Sequence, residues 1–96
     1  MKIISSQRYI DEKIVEQKLE QLVGQSSLVL EAWEVGMDDL AVLSDGHHRF
    51  EAAQRLGIPV TFHVTNHPEK ITGEILLESM WMDSDYYDVE TGKNVW

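Results

Sequence analysis

The stretch from Leu40 to Thr65 limits what this chain can fold into more than any other. It opens on four consecutive apolar residues, Leu40-Ala41-Val42-Leu43, a run that reads as a short buried strand. Ser44-Asp45-Gly46 follows, and then Phe50, Ala53 and Leu56 fall on one face of a helical repeat. Gly57 suits the left-handed position just past a helix, and Pro59 blocks any continuation. Val60-Thr61-Phe62-His63-Val64-Thr65 then alternates apolar and polar residues, the two-residue period of a strand. The order strand, tight turn, helix, strand places Asp45-Gly46-His47-His48-Arg49 on the turn.

That turn combines groups that favour an anion. The first N–H groups of a helix lack intrahelical partners and sit at the positive end of its dipole. Gly46 lets a ligand approach the main chain with no Cβ in the way. Arg49 adds a planar, permanently charged fork suited to phosphate or carboxylate, and His47 and His48 add imidazoles. Asp45 does not fit that pattern, because a bare carboxylate repels phosphate. It caps the helix, positions Arg49 or a histidine, or reaches a divalent cation carried by a nucleotide. A purely structural reading stands beside this one: Asp45 as N-cap, Gly46 as turn residue, and Arg49 as partner of Glu51 or Glu12.

Asp45-Gly46-His47-His48-Arg49, followed by Ala52-Ala53-Gln54-Arg55-Leu56-Gly57, resembles the central motif of the ParB/sulfiredoxin-like superfamily. The likeness is closest over residues 40 to 65 and extends loosely back to Tyr9. It implies a single small α+β domain over residues 1–96, a mixed sheet of about four strands with helices packed on it. It also implies a phosphorylated ligand, typically a nucleotide, held from Gly46 to Arg49, with hydrolysis or phosphoryl transfer among the relatives' chemistries. By position, His48 and Arg49 touch phosphate, the Gly46, His47 and His48 amides line the turn, and Asp45 lies near a metal or polar substrate. Asp45 and His48 are then the candidate catalytic pair, and Mg²⁺ the ion that comes with a nucleotide. Two departures matter. Sulfiredoxins carry a catalytic cysteine where this chain has His47, so thiol-based sulfinic acid reduction is excluded. Partition proteins append a DNA-binding helix-turn-helix, for which there is no length here.

Composition narrows the classes further. With no cysteine there are no disulfides and no thiolate zinc sites, which fits a reducing, cytoplasmic setting. No basic-then-apolar leader opens the chain, and no apolar run reaches bilayer length. A formal net charge of −9 argues against DNA or an anionic membrane as partner. It suits a protein that covers a basic partner.

Elsewhere, Lys2-Ile3-Ile4 suggests a short edge strand. Ile10, Ile14, Val15, Leu19, Leu22 and Val23 mark a helix from about Asp11 to Val23, whose Glu12 or Glu16 is a candidate general base. Leu28 to Val35 reads as a strand joined to Leu40 by a hairpin through Gly36-Met37-Asp38-Asp39, with Trp33 packed in the core or at its rim or, alternatively, stacked on a base. His47, His48, His63 and His67 have no recurrent zinc spacing; zinc, haem and flavin are not expected. Pro68-Glu69 looks like the entry of a helix running to about Met82, with Ile71, Ile75, Leu76 and Met80 inside and Gly73 as a weak point. Residues 83–96 read as an acidic, aromatic tail suited to a protein-binding surface; equally, Trp81, Tyr86 and Trp96 close the core of a small domain.

Two functions follow. One is a stand-alone domain binding a nucleotide or other phosphorylated small molecule at Asp45–Arg49. The other is a non-catalytic acidic interaction protein, an immunity protein or antitoxin, that neutralises a basic partner such as a toxin through Trp81, Asp83, Asp85, Tyr86, Tyr87 and Asp88. Unprotected strand edges would also allow a homodimer.

Overall fold

The apolar run becomes the central strand. In the computed structural model, which describes residues 1–96, the order is β1 (Lys2–Ser5), α1 (Glu12–Leu22), β2 (Leu28–Glu34), β3 (Leu40–Leu43), α2 (His47–Leu56), β4 (Val60–Thr65), α3 (Gly73–Ser79) and β5 (Tyr87–Asp88). The sheet has five strands in the order β4-β2-β3-β1-β5. β1 and β3 are parallel, as are β2 and β4, whereas β2–β3 and β1–β5 are antiparallel. The architecture is α+β with a mixed sheet, one strand larger than the expected four.

β3 is apolar throughout because both of its faces are covered. Ala41 and Leu43 join Ile3, Leu28, Leu30 and Ala32 beneath α1 and α2, which contribute Val15, Leu22, Phe50, Ala52 and Ala53. Leu40 and Val42 join Ile4 and Val35 on the opposite face, against Leu76 and Leu77 of α3 and Tyr86. All four β3 side chains are buried. Trp33 lies at the rim of this second cluster, its ring edge-on to His67 with centroids 4.4 Å apart. α1 begins at Asp11, whose Oδ1 accepts the Lys13 N–H at 3.0 Å. No helix is long and apolar enough to cross a membrane.

Three expectations need correction. β1 is interior, between β3 and β5, because the chain's far end returns to pair with it: Ile4 with Asp88 and Ser5 with Tyr87. Residues 83–96 therefore form no tail. They supply β5 and the buried Tyr86, Tyr87 and Val89, and the chain folds back on itself with Val95 N–H donating to Tyr86 O at 3.0 Å. The third helix is shorter at both ends than the Pro68 entry suggests. Lys70 takes φ 57, and its N–H donates to His67 O at 2.8 Å, so Pro68–Lys70 is a turn. At the far end Ser6, only 1 % exposed, captures the chain: its Oγ accepts the Met82 N–H at 2.8 Å and its carbonyl accepts the Asp83 and Ser84 N–H groups. Within α3, Leu76 and Leu77 point inward while Ile75 is 65 % exposed. On the other helices, Val23 lies past the end of α1 and is 67 % exposed, and Leu56 is 39 % exposed.

Candidate functional site

The end of β3 is clamped before the turn begins. Ser44 donates to the Glu31 carbonyl from both its N–H (3.1 Å) and its Oγ (3.0 Å). Asp45 is exposed, and its Oδ1 accepts the Gly46 N–H at 2.7 Å. It does not cap the helix: the N-cap is Gly46, with no side-chain cap bond. Gly46 sits at φ 87, ψ 21, and a Cβ there would come within 2.7 Å of Leu30 Cδ2. Both conformation and space therefore require glycine.

α2 makes its first backbone bond from Phe50 N–H to Gly46 O at 2.8 Å. The amides of His47, His48 and Arg49 precede that bond and have no helical acceptor. The Arg49 guanidinium folds back over the turn, with Nη2 3.2 Å and Nε 3.5 Å from where a Gly46 Cβ would be. It is in no ion pair. The carboxylates considered as its structural partners go to a different arginine. Glu12 takes Arg55 in a two-pronged contact at 2.8 Å to each oxygen, and Glu51 accepts from Arg55 Nε at 3.3 Å. The hydrogen bonds from Arg55 lower the Glu12 pKa, which makes Glu12 a poorer base. Glu16 is exposed on α1.

The histidines have separate roles. His48 Nε2 accepts the Asp11 N–H at 3.2 Å, joining the start of α2 to the start of α1. A backbone N–H can only donate, so Nε2 carries the lone pair and Nδ1 the proton. In this geometry Nε2 is taken by a donor and is not available as a base. His47 is half-buried, with Nδ1 shielded and unpartnered. Burial, with the neighbouring His48 adding to it, lowers its pKa below the usual 6.5 against the opposing pull of Glu51 and Asp83. His63 pairs with Glu31 at 3.1 Å, and His67 Nδ1 accepts the Glu69 N–H. Neither belongs to the turn.

Together these groups line a polar cleft of about 260 Å³ bounded by Asp45, Gly46, His47, His48, Arg49, Lys18 and Gln21. It contains no apolar lining residue. Lys18 and Gln21 come from α1 and were not among the sequence candidates. Their signal was present: Lys18 stands three residues after Val15 and four before Leu22, a cation on the buried stripe of its helix. A second cleft, of about 280 Å³, adjoins across the turn. It shares Asp45, Gly46, His47 and His48 and adds Leu43, Met80 and Met82. Each cleft is just below the usual size range of a small-molecule pocket.

The six residues considered for partner binding do not form one surface. Tyr86 and Tyr87 are each 7 % exposed, a correction to their assignment as partner contacts. Their hydroxyls donate to the Leu77 and Gln7 carbonyls, and burial raises both phenol pKa values. Asp83 accepts the Arg8 and Tyr9 N–H groups, and Asp88 accepts the Glu90 N–H. Trp81 and Asp85 alone remain exposed without such a role. Comparison of the chain with protein-family models, curated proteins and solved structures found no match.

Proposed function

We propose that this chain binds the phosphate of a nucleotide or another phosphorylated small molecule at the start of α2, within a ParB/sulfiredoxin-like domain. The observation that carries the reading is Arg49: a guanidinium without a carboxylate partner, folded back against Gly46 at the start of α2, in a cleft that Lys18 also lines. Magnitudes identify the decisive group. A helix N-terminus contributes about 0.3–1 kcal/mol to holding an anion, whereas a hydrogen bond to a charged group contributes about 1.5–3 kcal/mol. Arg49 therefore dominates. In a body of net charge −9, affinity depends on these local donors, because the long-range field opposes an anion.

Asp45 is kept from the phosphate by charge and is the residue to meet a divalent ion arriving with the nucleotide. No group of three or more metal-ligating side chains is assembled in the structure. One carboxylate suits Mg²⁺ that retains water and phosphate ligands. Such an ion neutralises phosphate charge. The chain's own residues grip and orient: Arg49 and Lys18 by charge, His48 through Nδ1–H, and the turn amides by hydrogen bonds. Any turnover would rest on positioning and charge neutralisation.

The test is a thermal-shift panel of ATP, ADP, CTP, GTP and inorganic phosphate, each with and without Mg²⁺, on wild type, Lys18→Ala and Arg49→Ala. Binding at a hundredfold excess over Kd raises apparent stability by about 2.7 kcal/mol. The expected result is stabilisation by one nucleotide, weakened by Lys18→Ala and weakened most by Arg49→Ala. A flat panel at millimolar ligand overturns the reading. The acidic interaction reading, an immunity protein or antitoxin, draws on the net charge and on Trp81 and Met82, each 57 % exposed. It has lost both tyrosines to the core.

A further inference from the structure

The two edges of the sheet are treated differently. Beyond β5 the chain covers itself: Asp88 N–H donates to Lys93 O at 2.9 Å, Tyr87 bridges to Asn94, and Asp85, Asp88 and Glu90 add charge nearby. Beyond β4 nothing pairs. Leu28 N–H donates to Pro59 O at 3.0 Å, and successive residues of a parallel strand turn their main-chain groups in alternating directions. Thr61 and His63 therefore address β2, while Val60, Phe62 and Val64 direct N–H and C=O away from the sheet. Natural proteins usually protect such an edge with charge, proline or a bulge. Here Gly57 to Asn66 contains no Asp, Glu, Lys or Arg, in a chain that is 26 % charged.

We infer that β4 pairs antiparallel with β4 of a second copy of this chain, about a two-fold axis at Phe62. In that register Val60 lies opposite Val64 of the second copy, and Phe62 opposite Phe62. Each of the three residues exchanges both main-chain bonds with its counterpart. The apolar residues are symmetric about Phe62, which an isologous interface requires and a foreign strand does not. Two chains of net charge −9 also meet there along their uncharged segment. On the exposed face, Thr61 lies opposite His63 of the second copy, while His63 keeps Glu31 on its own chain. No residue lining the cleft at Arg49 belongs to β4, so the pairing leaves that site open.

The absence of native cysteine makes the register directly testable. Thr61→Cys and His63→Cys proteins, each alone and mixed one to one, are oxidised and run on a non-reducing gel. Directly opposed residues have Cβ atoms about 4.5–5.5 Å apart, within reach of a disulfide, whereas residues displaced along the strands are too far. The mixture is expected to cross-link and each single protein not to. In parallel, sedimentation should show wild type dimerising with concentration. Thr61→Lys/His63→Lys, which puts like charges face to face, should dimerise at least tenfold more weakly with unchanged circular dichroism. Thr61→Glu/His63→Lys should restore the dimer. A wild type that stays monomeric to millimolar concentration, or cross-linking equally efficient in the single proteins, overturns the proposal.

Discussion

The two ends of α2 face opposite demands. At its C-terminal end the chain caps the helix itself. Gly57, at φ 71, gives its N–H to Gln54 O, and Ile58 N–H reaches Ala53 O at 2.9 Å, the paired bonds of a Schellman cap. Arg55 there holds Glu12 and Glu51 at once. At the N-terminal end three amides and one guanidinium have no protein acceptor, and Lys18 adds a second cation. Sequence treats Arg49 and Arg55 alike, six residues apart on one helix; tertiary packing gives Arg55 its carboxylates and leaves Arg49 in no ion pair. The free donors of α2 are thus concentrated at one end of the helix.

The largest effect expected from breaking this contrast is at Gly46. Gly46→Ala places a Cβ against Leu30 and forces a side chain into left-handed backbone. Urea unfolding should show a loss of about 2–3 kcal/mol. The arginines then separate the two ends. Arg49→Ala should reduce nucleotide or phosphate affinity about tenfold to a hundredfold by calorimetry, with unfolding of the free protein unchanged. Arg55→Ala should leave that affinity intact and lower stability only slightly, more at low salt than at high, because its ion pairs are solvent-exposed. If the two variants behave alike, the contrast between the ends is wrong.

The smallest effect is pH-dependent and arises at His47. Its folded-state pKa lies below the usual 6.5, so on acidification the unfolded chain takes up this proton first. The stability His47 confers as a neutral group is complete above 6.5 and falls as pH drops from there through the folded-state value. His47→Gln should flatten the stability–pH curve over that window, measured by chemical denaturation at a series of pH values.

Much of the fold was legible because its cues are local. The run at Leu40–Leu43, the Gly57-Ile58-Pro59 stop and the alternation from Val60 to Thr65 mark β3, the end of α2 and β4. The Pro68 entry misled because the turn at His67–Lys70 is set by its own hydrogen bonds. The start of α3 is tied instead to the carbonyl of Val35, from Gly73 N–H at 2.7 Å. Ser6 gave no warning: an isolated serine becomes an anchor only when residues 82–84 arrive from the other end of the chain.

Sequence alone determined the strand–turn–helix–strand order and the cationic character of the turn, which depend on residues close to one another in the chain. Tertiary structure decided which arginine is in no ion pair, that Lys18 lines the same cleft, that His48 is held through Nε2, and that Tyr86 and Tyr87 belong to the core. These facts depend on contacts between segments far apart in the chain. No local propensity encodes them, because the partner of a charge or a hydroxyl is set by the packing of whole helices and strands.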